Sequence, residues 1–74
     1  MEERIKQIMA DILGIDPNGI DEATAMDNTE SWDSANHLNL CFALEQEFNV
    51  TFEIQEIESM LTYYDILQVL HAKL

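Results

Sequence analysis

Apolar residues in the first segment fall at Ile5, Ile8, Met9, Ile12 and Leu13, matching the i, i+3, i+4, i+7, i+8 spacing of an amphipathic α-helix at every step. Nothing in the chain offers strands a comparable pattern, so its core must be built from helix faces. Length narrows the choice further, because 74 residues allow one domain, taken as residues 1–74. A core of that size supplies only about 3–5 kcal/mol of net stability without a disulfide, metal or partner. Cys41 is the single cysteine, so no internal disulfide can form, and His37 and His71 stand apart without zinc-site spacing. Helix packing alone has to hold this chain together.

The first helix is expected to stop at Gly14, where a left-handed cap is easily adopted. Ile15 to Trp32, with Asp16-Pro17-Asn18-Gly19 near its start, reads as a long loop. Ile15, Ile20, Met26 and Trp32 would pin it to the core, and loops this long tend to be functional or disordered. A second helix is expected from Asp33-Ser34 to about Phe48, with Asp33 as N-cap and Asn49 as the residue after it. Leu40, Cys41, Leu44 and Phe48 lie near the centre of its apolar arc, and Ala35, Leu38 and Phe42 lie at one edge. Asn36, Asn39, Ala43, Gln46 and Glu47 make the opposite face. That arc is wider than one core contact needs, so the Ala35–Leu38–Phe42 edge is expected to be partly exposed. Val50 to Ile54 alternates like a short strand, yet no partner strand is evident and a connecting segment fits better. Gln55 to Leu61 would form a short third helix. Thr62 would cap a last one with Tyr63, Ile66, Leu67 and Leu70 inward, joined by Val69 and Leu74. The fold class expected is all-α: a four-helix bundle with three main helices, a short third helix and a long first loop.

Fifteen acidic residues against three basic ones give a formal net charge of −12, and nothing between Lys6 and Lys73 is Lys or Arg. Such a surface repels nucleic acid and anionic lipid. It serves either solubility alone or steering toward partners with basic patches. The charged start Met1-Glu2-Glu3-Arg4 has no apolar signal region, and no stretch approaches the roughly 18 apolar residues of a membrane span, so the expected location is cytoplasmic.

Trp32-Asp33-Ser34-Ala35 places a hydroxyl in the first turn of a helix, where unpaired N–H groups and the positive dipole end favour an anion such as a phosphodiester. A serine there also commonly does no more than begin a helix. The run that follows, Asp33-Ser34-Ala35-Asn36-His37-Leu38-Asn39-Leu40-Cys41-Phe42-Ala43-Leu44-Glu45-Gln46-Glu47-Phe48, resembles the modified serine and second helix of acyl carrier proteins. There, an Asp-Ser-Leu motif opens a helix that closes on Ala-Leu-Glu-x-Glu-Phe. The remaining elements occur in that family's order. The resemblance implies covalent 4′-phosphopantetheine on Ser34, donated from coenzyme A by a phosphopantetheinyl transferase, with Asp33 in the transferase recognition motif. The arm would hold acyl groups as thioesters, and the protein would not itself be an enzyme. Ala35, Asn36, Asn39, Phe42, Glu45 and Glu47 would meet partner enzymes that transfer or activate acyl groups.

Departures from the family pattern shape the reading. Ala35 stands where Leu or Met is usual, Asn36 and Asn39 replace acids of many fatty-acid carriers, and Gln46 interrupts the terminal acids. Only Glu45 and Glu47 then remain as charges on the outer face. A specialised pathway, polyketide-like or otherwise secondary, is therefore expected over housekeeping fatty acid synthesis. An aminoacyl or D-alanyl carrier shares the local motif. A peptidyl carrier would show Gly-Gly before the serine and often a histidine beside it, which Glu30-Ser31-Trp32-Asp33 lacks, and an unmodified helical adaptor is the reading from a different class. A monomer is expected.

Other residues invite plainer readings. Cys41 sits mid-helix on the inner arc as an inert thiol, His37 is a partly buried packing residue near the arm, and His71 favours the last turn of its helix. The acids Asp21, Glu22, Asp27, Glu30, Glu53, Glu56 and Glu58 lack the order of an EF-hand loop. Ile66 and Leu70, facing Leu44 and Phe42, would be the place to shelter an apolar acyl chain.

Overall fold

Helix α1 (Glu2–Leu13) ends where expected, with Gly14 in the left-handed region at φ 67° and its N–H bonded to the Ala10 carbonyl. Glycine takes that conformation most readily, because it has no Cβ to clash. The computed structural model describes residues 1–74, and in it three further helices follow: α2 (Ser34–Phe48), α3 (Ile54–Ser59) and α4 (Tyr63–Lys73). No strand forms. Ala25 and Thr62 make one isolated antiparallel bridge, in which Met26 N–H donates to Leu61 O and Tyr63 N–H donates to Thr24 O, both at 2.9 Å.

Each later helix starts for a legible reason. Asp33 caps α2 by accepting the Asn36 N–H, and Thr62 Oγ1 accepts the Asp65 N–H at the start of α4. Asn49 closes α2 in the left-handed region at φ 53°. Helix α3 is displaced slightly from expectation. It starts at Ile54 because the Glu56 carboxylate reaches back to the Glu53 N–H at 2.7 Å. It stops at Ser59 because Met60 leaves helical geometry, at φ −84° and ψ 73°.

The core joins Ile5 and Met9 of α1, Leu40 and Leu44 of α2, and Ile66 and Leu70 of α4, with Met60 from the turn between α3 and α4. The long loop joins it too. Ile20 and Trp32 are fully buried, Ile15 and Met26 are half-buried against the core, and two 3-10 turns (Pro17–Gly19 and Met26–Asn28) shorten the path. Asp16, Asp21 and Asn28 accept loop N–H groups through their side chains, so the loop's backbone is satisfied locally. Two expectations need correcting. Leu74 lies past the end of α4 and is 65% exposed, adding nothing to the core. Ala43, expected on the outer face of α2, is half-buried against the core, beside Ile8 and Ile12 of α1 where the two helices pack.

Candidate functional site

Ser34 is the first residue of α2 and is exposed. Asp33 before it is extended, at φ −99° and ψ −177°, which turns its side chain back over the first turn. Its carboxylate accepts the Asn36 N–H at 2.9 Å and its carbonyl accepts the His37 N–H at 2.8 Å. The N–H groups of Ser34 and Ala35 are left unpaired by the protein at the positive end of a fifteen-residue helix. A phosphodiester oxygen fits that setting, because unpaired donors and an exposed hydroxyl coincide at one residue.

Two side chains hold the approach to Ser34 in place. The Trp32 indole N–H, which can only donate, reaches His37 Nδ1 at 3.0 Å. Nδ1 therefore accepts, Nε2 carries the proton, and Nε2–H donates to the Ile57 carbonyl at 2.7 Å. His37 is thus a neutral buried clasp joining the loop, α2 and α3, a more specific role than the packing expected of it. The second strap is Asn36, whose amide donates to the Ser31 carbonyl at 2.8 Å. Its oxygen also lies 3.4 Å from the Asn39 amide, at the limit of a hydrogen bond. An ionised aspartate at position 36 would have no proton to give Ser31. The amide that loses a docking charge fastens the loop.

Cys41 lies 3.9 Å from His37 Nε2 but is not activated. Burial, and then the Glu45 charge, push its thiol up to about 11, so it stays protonated and inert as expected.

On the outer face of α2, Ala35, Leu38, Asn39, Phe42 and Gln46 are exposed, with Leu38 at 45% and Phe42 at 56%. The apolar edge inferred from periodicity is therefore present. The two charges expected to stand free on this helix are both engaged. Glu45 is half-buried and accepts the Phe52 N–H at 2.8 Å, tying down the segment after α2. Glu47 accepts from Arg4 at 2.9 Å, and that hydrogen bond holds its carboxyl below the usual range. Lys73 pairs with Glu56 at 2.8 Å and lies over the Phe52 ring, while Lys6 lies over the Tyr63 ring. Every basic side chain is thus engaged within the fold.

Leu44, Ile66 and Leu70 do not frame an opening. They are buried in a filled core, and no surface hollow is lined by them or by Phe42. The acids do not gather into a metal site either, since no three potential ligands converge. Nothing in the residue pattern signals the Trp32–His37–Ile57 clasp beyond His37 falling on the inner arc, because the Ile57 carbonyl is supplied by the backbone of another helix.

Residues 3–70 match the family described as "Phosphopantetheine attachment site". The acyl carrier protein of Thermosynechococcus vestitus is 32% identical over 71 residues, covering 96% of this chain and 88% of that protein. The acyl carrier protein of Petrotoga mobilis is 33% identical over 73 residues, covering 97% and 85% respectively.

Proposed function

The chain belongs to the phosphopantetheine-bearing family of acyl carrier proteins, and from that membership we propose that Ser34 is its attachment residue and Asp33 part of what the transferase reads. The observation that carries this is the placing of an exposed hydroxyl at the first residue of α2, beside unpaired N–H groups. When bound, phosphopantetheine supplies a thiol that holds acyl groups as thioesters. The chain's own residues orient and expose the attachment point. Asp33 fixes the first turn, while Trp32, His37 and Asn36 fasten the preceding loop to the start of α2. Members of this family do not catalyse the reactions of their cargo. Tethering raises the effective concentration of an intermediate for each successive enzyme.

Partners under this reading are a phosphopantetheinyl transferase and acyl-transferring or acyl-activating enzymes with basic patches, steered by the net charge of −12. The same self-repulsion favours a monomer. A specialised pathway is favoured by Ala35, Asn36 and Asn39, which depart from the housekeeping pattern; efficient acyl exchange with a fatty-acid ketosynthase would defeat that part. The attachment reading is tested by incubating the protein with coenzyme A and a broad-specificity transferase. A mass gain is expected in the native chain and none in Ser34→Ala. No gain at all, or a gain that survives the substitution, overturns it.

A further inference from the structure

The direct way from Ser34 into the core runs down the seam between α2 and α3, because His37 and Cys41, three and seven residues on, share its side of α2 at the buried edge. That seam is filled and fastened. His37 and Cys41 are 7% and 1% exposed, and the ring Nε2 and the sulfur lie 3.9 Å apart. His37 Nε2–H donates across the seam to the Ile57 carbonyl of α3 at 2.7 Å. Helix α3 is the shortest of the four, the one a guest entering here would have to displace, and it is tied at both ends. Glu56 pairs with Lys73 of α4 at 2.8 Å, and the Phe52 N–H just before α3 donates to Glu45 of α2 at 2.8 Å. After α3, the backbone of Leu61 and Tyr63 is bonded to Met26 and Thr24 of the loop.

We propose that this fastened seam keeps the cargo on Ser34 outside the bundle, so that the chain carries acyl groups that water tolerates: short ones, or ones bearing hydroxyl, amino or carboxyl groups. This rests on the carrier reading above and names its substrate class. A tail entering the core would have to part Leu44 from Ile66 and Leu70, all buried, and leave the Ile57 carbonyl and His37 Nε2–H without each other. Burying a tail of a few methylenes returns less than overpacking a filled core and stranding buried polar groups costs. A long apolar tail left outside would instead stand in water beside an acidic surface. His37 is accordingly a specificity-determining residue, one that acts by holding α3 closed and not at the thioester itself.

The native protein is loaded from acetyl- or hexanoyl-coenzyme A by a broad-specificity transferase. The two forms are compared by amide nitrogen–proton NMR and by the rate at which hydroxylamine cleaves the thioester. The amides of Leu44, Ile57, Ile66 and Leu70 are expected to coincide in the two forms, with differences confined to exposed residues near Ser34. Each loaded form is expected to be cleaved as fast as the free acyl-pantetheine with the same acyl group. His37→Ala removes the bond to Ile57 and opens the seam. In that variant the hexanoyl form is expected to shift the Leu44 and Ile66 amides and to be cleaved severalfold more slowly. Core shifts or slowed cleavage in the hexanoyl-loaded native protein overturn the proposal. A His37→Ala variant that melts cooperatively by circular dichroism, yet shows neither change, overturns the role given to His37. If that variant does not fold, the native comparison decides alone. Native protein that gains no acyl-phosphopantetheine mass defeats the carrier reading itself, and the proposal with it.

Discussion

The loop from Gly14 to Asp33 and the helix that follows it divide their surfaces in opposite ways. The loop has an apolar underside, with Ile20 and Trp32 buried, and an outer side crowded with exposed acids that form no ion pair. On α2 the underside is equally apolar, but the outer side presents Leu38, Phe42 and amides, with its two acids turned to internal work. A long loop in so small a protein needs firm anchorage, and charge on its free side costs the core nothing. The outer face of α2, by contrast, can be desolvated at Leu38 and Phe42 without stranding a charge.

Breaking the loop's underside should have the largest effect. Trp32→Ala removes a buried indole and orphans His37 Nδ1. It is expected to cost about 3–5 kcal/mol, comparable to the whole stability of a core this size, and to abolish cooperative melting. A variant that still melts sharply near the native temperature would show the loop is not structurally coupled. His37→Leu should cost about 1–3 kcal/mol, because the Trp32 N–H and the Ile57 carbonyl both lose a buried partner. Chemical denaturation would read this as a lower midpoint. Asn36→Asp sharpens the contrast: it restores an acid to α2 but breaks the bond to Ser31, and about 1 kcal/mol of destabilisation is expected. Stabilisation on that change would mean that the strap contributes nothing.

Smaller effects come from charge. Added salt should raise the melting temperature by relieving repulsion among fifteen acids, and a flat response from low to moderate salt would count against it. Glu47 and Glu56 are both held below the ordinary carboxyl range, first by hydrogen bonds from Arg4 and Lys73. Their contribution is therefore present above that range and lost as pH falls through their folded-state values. The difference in melting temperature between native protein and Glu47→Gln should be small at neutral pH and vanish in acid. The Cys41 thiol has the opposite sign. Raised from 9.0 to about 11, it contributes below its unfolded value, and that contribution is lost as pH climbs between the two. Cys41→Ala should flatten the alkaline decline in stability.

Much of this protein is decided locally and was readable as such. Helix periodicity places α1, α2 and α4, Asp33, Thr62, Gly14 and Asn49 mark their ends, and the width of the α2 arc alone implies that Leu38 and Phe42 are exposed. These follow from side-chain spacing and backbone preference within a few residues. Ser34 at a helix start belongs to the same class. What tertiary structure alone decided is where each polar group spends its bonding capacity. Glu45 and Glu47 look free in sequence because Phe52 and Arg4 lie seven and forty-three residues away along the chain. His37 becomes a clasp only when the carbonyl of Ile57, twenty residues on, arrives at its ring. A side chain's charge is written in the sequence. Whether that charge remains available to a partner depends on which distant donor the fold brings within hydrogen-bond reach.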